Sequence, residues 1–154
     1  MKEFDYYIFI DYSENLIGYS IIEREKLREL LPKISRFAHY KELKYKSAYV
    51  HSIKKIIETK KIYSDILKIK IRETRQNLEI YSDVLDFIKK HDNCIIFVSI
   101  DNHESPNFKR LVNITDGEKT RVVEESQLKK RSIEYRMSLI LDTLLNIERL
   151  KKQW

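Results

Sequence analysis

Apolar, aromatic and β-branched residues dominate "FDYYIFIDY" at 4–12, which predicts a strand. Ser13, Glu14 and Asn15 are turn formers, and "LIGYSII" at 16–22 reads as the returning strand of a β-hairpin. "EREKLRELL" at 23–31 predicts a short helix that stops before Pro32. "KISRFAHY" at 33–40 fits no single period. Between about Lys41 and Lys61, Tyr49, Ile53, Ile56 and Ile57 recur at helical spacing. Residues 65–73, "DILKIKIRE", carry two patterns at once. Leu67, Ile69 and Ile71 alternate as in a strand, whereas Tyr63, Leu67, Ile71 and Thr74 fall on one helical stripe. Leu78, Tyr81, Leu85 and Ile88 predict a helix over 74–90.

"NCIIFVSID" at 93–101 is the strongest strand pattern, a near-continuous apolar run suited to a central strand covered on both faces. "FKRLVNIT" at 108–115 and "EKTRVVEE" at 118–125 flank Asp116–Gly117, which predicts a second hairpin. The remainder, about 126–151, reads as one long helix buried along Ile133, Met137, Ile140, Leu141, Leu144 and Ile147. On that wheel Glu134 sits beside the buried stripe, and Asp142 falls on the far side and is expected to be exposed.

Composition narrows the class. The 154 residues are 42% hydrophobic and 35% charged, which suits a single globular domain spanning 1–154. No apolar run reaches the ~18 residues that cross a bilayer, so no membrane association is expected. "MKEFDYY" places acids where a signal peptide needs a basic region, and a cytoplasmic location is expected. Two glycines leave little room for a Gly-rich nucleotide loop, and GxSxG and HExxH are absent. Cys94 lies inside an apolar run and reads as a small buried hydrophobe. The Lys-, Glu-, Ile- and Tyr-rich profile resembles a helix-rich thermophile protein.

The net charge of +6 is concentrated. Lys41 to Arg75 holds eleven basic residues against four acids, with Tyr40, Tyr45, Tyr49 and Tyr63 interleaved. Lysines neutralise phosphates and aromatic faces stack on unpaired bases, so the tract is a candidate surface for single-stranded nucleic acid. Lys54, Lys55, Lys60 and Lys61 are its core candidates, joined by the Lys129–Lys130–Arg131 cluster. The competing reading is a solvated basic helix with its tyrosines packed inward.

Two short stretches echo each other, "IDYSEN" at 10–15 and "IDNHES" at 100–105. Each ends a strand in Ile-Asp. A carboxylate at a buried strand end is costly unless it opens a turn or binds a cation. On neighbouring parallel strands, Asp11 and Asp101 would lie side by side and could share Mg²⁺ or Mn²⁺, which take oxygen ligands and leave positions for phosphate and water. Glu134 is the candidate for a third carboxylate, with Glu58, Glu73, Glu124 and Glu125 as alternatives and Glu14 and Glu104 as outer ligands. His103, two residues after Asp101, could contact a phosphate or deprotonate a water.

"IFIDYSENLIGYSII" resembles the opening hairpin of the RNase H-like superfamily of metal-dependent nucleases, and "IIFVSID" resembles its neighbouring acid-bearing strand. The resemblance implies an α/β fold, a mixed β-sheet flanked by helices with a long C-terminal helix. It also implies metal binding by Asp11, Asp101 and a helix-borne acid, here matched by position to Glu134. It departs from the pattern after the first hairpin, where helical sequence replaces the usual third strand. Residues 93–151 by themselves read strand–strand–strand–helix, as a permuted version would. The lysine-rich character is similar to single-strand-specific exonucleases of hyperthermophilic archaea. The expected function is a Mg²⁺- or Mn²⁺-dependent nuclease on single-stranded nucleic acid, in the narrow form a 3′-to-5′ exonuclease on DNA, as a homo-oligomer. The alternatives are a non-catalytic nucleic-acid-binding module and an assembly protein that pairs through its last helix.

Overall fold

The computed structural model describes residues 3–99, 105–116 and 119–151. Asp101, His103, Glu104 and Gly117, singled out above, lie outside them. One sheet of five strands organises the chain: β1 (Tyr6–Ser13), β2 (Leu16–Glu23), β3 (Lys68–Glu73), β4 (Cys94–Ser99) and β5 (Arg121–Glu124). Their order is β3-β2-β1-β4-β5. The first three are antiparallel neighbours, whereas β4 runs parallel to β1 and β5 parallel to β4. The hairpin expected at 13–15 forms, with Glu14 at φ 53° and Ser13 opposite Leu16.

The helices are α1 (Leu27–Lys33), α2 (Lys46–Thr59), α3 (Asn77–Lys90), α4 (Ser105–Asp116) and α5 (Ile133–Lys151). β1 alternates its side chains between two cores. Tyr7 and Phe9 face a cluster with α1, α2 and α5, and Phe9 stacks on Phe97 at 5.3 Å. Ile8 and Ile10 face a second cluster with α3 and α4. A mixed sheet flanked by helices, with a long C-terminal helix, is the architecture the resemblance implies. Cys94 is buried and free, and burial pushes its thiol up to about 12.

Several local expectations are corrected. The third strand exists: residues 68–73 settle as β3, after residues 24–67 are inserted behind β2. No permutation is therefore needed. Residues 108–115 are helical rather than extended, because Phe108 and Val112, one turn apart, are both buried against α3 and the sheet. The two segments do not pair as a hairpin: α4 runs through Asp116, and β5 pairs with β4. Pro32 sits inside α1, one residue before its end, where few backbone bonds remain for it to disrupt.

Gly18 shows how tightly this sheet meets α5. It lies opposite Asp11 on one side and Ile71 on the other. A Cβ there would meet the Lys70 carbonyl oxygen at 2.9 Å and Leu141 Cδ1 at 3.4 Å.

Candidate active site

The site begins with Asp11, sixth of the eight residues of β1 and on the face that meets α5. It is 8% exposed, and the Tyr12 backbone N–H donates to its Oδ1 at 2.8 Å. In register beside it on β4 is Ser99, whose hydroxyl dipole acts on the carboxyls of both Asp11 and Glu125 and favours their charged forms. Glu125 opens the short turn that follows β5 and is half-buried. The parallel ladder from β1 through β4 to β5 thus brings strand ends together on one side of the sheet.

Across from them lies an unusual stretch of α5. Residues 137–147 are buried without interruption, including Ser138, Asp142, Thr143 and Asn146. Ser138, Asp142 and Asn146 follow one another at four-residue spacing and form a buried polar stripe. Asp142 was expected to face solvent and is instead 6% exposed. The reason is the inserted segment 24–67, which covers the outer side of α5. The Tyr40 backbone N–H donates to Asp142 Oδ2 at 3.0 Å, and His39 Nε2 stands 3.9 Å from Oδ1. Tyr49 clamps this segment: its hydroxyl donates to the Ala38 carbonyl at 3.1 Å, accepts from the Ala38 N–H at 2.9 Å, and bonds Thr143 at 3.0 Å. Asn146 closes the far end, donating to the Asp142 carbonyl and accepting from Ser13 and Arg149.

The electrostatics set this cluster apart from an ordinary buried ion pair such as Lys33–Asp65. Burial drives the Asp11 carboxyl well above its ordinary value, and the charges of Glu125 and Asp142 push the same way. Burial also raises Glu125, with Asp142 adding to it. It raises Asp142 as well, against the hydrogen bond from Tyr40 and the nearby His39 and Lys41. Three carboxyls that favour the proton because burial, first of all, and one another's charges disfavour ionisation form a site that would welcome a cation. A cleft of about 260 Å³ opens onto it between His39, Ser99, Glu125, Lys130 and Tyr135. Among the described residues, no group of three or more His, Cys, Asp or Glu side chains is placed to hold a metal ion by itself.

The other sequence candidates distribute as follows. Glu134 lies in the first turn of α5, half-buried, and acts electrostatically on Tyr7, which precedes Asp11 along β1. The charges that act most on Asp11 are those of Glu125 and Asp142 instead. Glu14 pairs with Arg149 at 3.6 Å, Glu73 with Arg75 at 2.7 Å and Glu124 with Lys109 at 3.6 Å. Lys54, Lys55, Lys60 and Lys61 are exposed on and just after α2. Lys129, Lys130 and Arg131 are exposed before α5, and Lys130 pairs with Glu42 at 3.3 Å. Asp142 and His39 were missed. The four-residue spacing of Ser138, Asp142 and Asn146 was the available signal.

No protein-family model matches the chain, and no characterised protein matches it by sequence. Solved structures do. Ribonuclease H2 from Pyrococcus horikoshii OT3 superposes with a TM-score of 0.55 at 11% identity, over 95% of this chain and 72% of that one. A chain of the PCNA:RNase HII complex from Archaeoglobus fulgidus gives a TM-score of 0.49 at 14% identity, again over 95% and 72%. At 11% identity the likeness to the Pyrococcus enzyme is one of fold. The fold of this chain is RNase H-like.

Proposed function

We propose that the protein is a divalent-metal-dependent nuclease that hydrolyses phosphodiester bonds, with single-stranded nucleic acid as its substrate. The observation that carries this reading is that the charges of Glu125 and Asp142 act on Asp11: buried acids on β1 and α5 and a half-buried one in the turn after β5, each raised in pKa. The RNase H-like fold supports it, since the Pyrococcus horikoshii protein that shares it is a ribonuclease H2.

The donor set fits Mg²⁺ or Mn²⁺, being all carboxylate oxygen. Such ions need only one or two protein carboxylates when substrate phosphate and water complete the shell, so a preformed three-residue cage is not required. Asp11 and Asp142 are the proposed ligands, with Asp101, two residues beyond Ser99 in the chain, and Glu125 completing the acid set. When bound, the cation supplies Lewis-acid stabilisation of the phosphoryl oxygens and acidifies a water. The chain does the rest. The N–H groups of Tyr12 and Tyr40 fix the carboxyls of Asp11 and Asp142, whose remaining lone pairs stay available. Ser99 favours the charged forms of Asp11 and Glu125. Lys130 and His39, on the rim of the cleft, attract and orient the phosphate.

The test is to incubate end-labelled single-stranded, duplex and RNA/DNA hybrid oligonucleotides with Mg²⁺, Mn²⁺ or chelator. Cation-dependent products from the wild type, lost in Asp11→Asn, are expected, with single strands cut fastest. No cleavage under any condition would transfer the weight to a non-catalytic nucleic-acid-binding module. The product ladder also decides between stepwise removal of terminal nucleotides and internal cleavage.

A further inference from the structure

A groove runs between α2 and α5, beginning at the residue that holds Asp142. Its first stretch, about 420 Å³, is lined by Tyr40, Lys46, His51 and Lys54 over an apolar floor of Val50 and Leu150. Lys54 also lines a second stretch of about 240 Å³, with Ile57, Ile147, Tyr63, Glu58 and Lys151. The two adjoin at Lys54 along α2, whose fourteen residues span about 20 Å at 1.5 Å per residue. That is roughly the length of six stacked nucleotides at ~3.4 Å per phosphate on one strand.

Tyr40 joins the groove to the acids. Its N–H donates to Asp142, and its ring lies 5.2 Å from Lys46 Nζ and 5.4 Å from the Arg149 guanidinium. Lys46 and Lys54 are exposed and have no carboxylate partner among the described residues, whereas Lys151 pairs with Glu148. Tyr63, at the other end, is 54% exposed. Lys55, Lys60 and Lys61 line neither stretch, which separates Lys54 from the other lysines of the basic tract.

We propose that the α2–α5 groove seats the backbone of a single-stranded nucleic acid, Lys46 and Lys54 contacting phosphates and Tyr63 stacking an unpaired base, so that the strand leads to the acid cluster. The direction of the strand toward the acids rests on the nuclease reading; the groove itself does not. A duplex offers phosphates but keeps its base faces in its own stack, leaving the exposed Tyr63 ring without a partner. The inserted segment 24–67 would then supply both the cover of Asp142 and the track for the substrate.

The experiment measures fluorescence anisotropy of a labelled thymidylate strand of about twelve nucleotides and of its duplex, in chelator, so that binding is read without cleavage. The variants are Lys46→Glu with Lys54→Glu, Tyr63→Ala, and a charge-matched control, Lys89→Glu with Lys90→Glu, on exposed positions of α3. Loss of two phosphate contacts is expected to flatten the salt dependence by about 1.4 in slope and to weaken binding at least roughly tenfold. Tyr63→Ala is expected to weaken single-strand binding roughly tenfold and to leave the duplex unchanged. Groove variants that bind like the control, or duplex binding as tight as single-strand binding, overturn the proposal. A wild type that binds through the groove and never cleaves upholds the groove and overturns the nuclease reading. Where cleavage occurs, the double reversal should raise KM and leave kcat near the wild-type value.

Discussion

The Tyr40 N–H donates to Asp142 Oδ2 at 3.0 Å across a sequence separation of 102 residues. This one bond ties the segment inserted after β2 to the acid on the last helix. It explains why Asp142 is buried, why His39 stands beside it, and why the groove along α2 begins at a residue bonded to Asp142. A carboxyl with one side held by a backbone donor keeps its orientation when its remaining lone pairs take up a cation.

Asp142→Asn keeps an oxygen for the Tyr40 N–H but removes a charge from the cluster. Cleavage is expected to fall on the order of 10²–10³-fold, the cost typical of losing one preorganised electrostatic contributor. Glu134→Gln, half-buried in the first turn of α5, is expected to stay near wild type. Steady-state kinetics on one labelled oligonucleotide compare the two. Equal losses would return Glu134 to the site.

The raised carboxyls make a prediction about stability and pH. Folded pKa values above the unfolded ones mean that the folded state holds its protons longer. Their contribution is intact below the unfolded value, about 4, and is lost as pH rises through the folded values. Thermal melts without divalent ion should therefore show Asp142→Asn gaining on the wild type as pH rises toward neutral. The gain should reach about 1 kcal/mol and vanish under acid conditions. Parallel melting curves at all pH values would contradict the like-charge account. Mg²⁺ or Mn²⁺ at neutral pH should raise the wild-type midpoint more than that of the variant.

Tyr49→Phe removes the hydroxyl that serves Ala38 and Thr143 at once. Part-buried backbone groups then lose their partner, at a cost of about 1–3 kcal/mol. Urea unfolding reads that cost. Because His39 and Tyr40 follow Ala38 directly, kcat should also fall while binding in the groove persists.

Gly18→Ala brings a methyl against the Lys70 carbonyl and Leu141. Backbone on one side and a packed helix on the other leave little room to give, so a loss of about 1–3 kcal/mol is expected. Since Gly18 lies opposite Asp11, cation-dependent stabilisation should weaken too. A variant with wild-type melting and wild-type response to Mg²⁺ would show that the sheet can separate from α5 there.

The sequence by itself determined the elements whose pattern is local. The β1–β2 hairpin, the buried run of β4 and the burial of Cys94 follow from unbroken apolar stretches and turn formers, and they also place Asp11 near the end of a central strand. Asp101 stayed a reading of the sequence alone. Only the tertiary structure decided between equal local patterns. Residues 68–73 became a strand because β2 offered a free edge, and 105–116 became a helix because α3 and the sheet could bury Phe108 and Val112 together. The same holds for the site. A helical wheel reports which residues share a face, but not how many faces will be covered. Residues 24–67 cover the second face of α5, and that packing turned Asp142 from a residue expected to face solvent into a buried acid whose charge acts on Asp11.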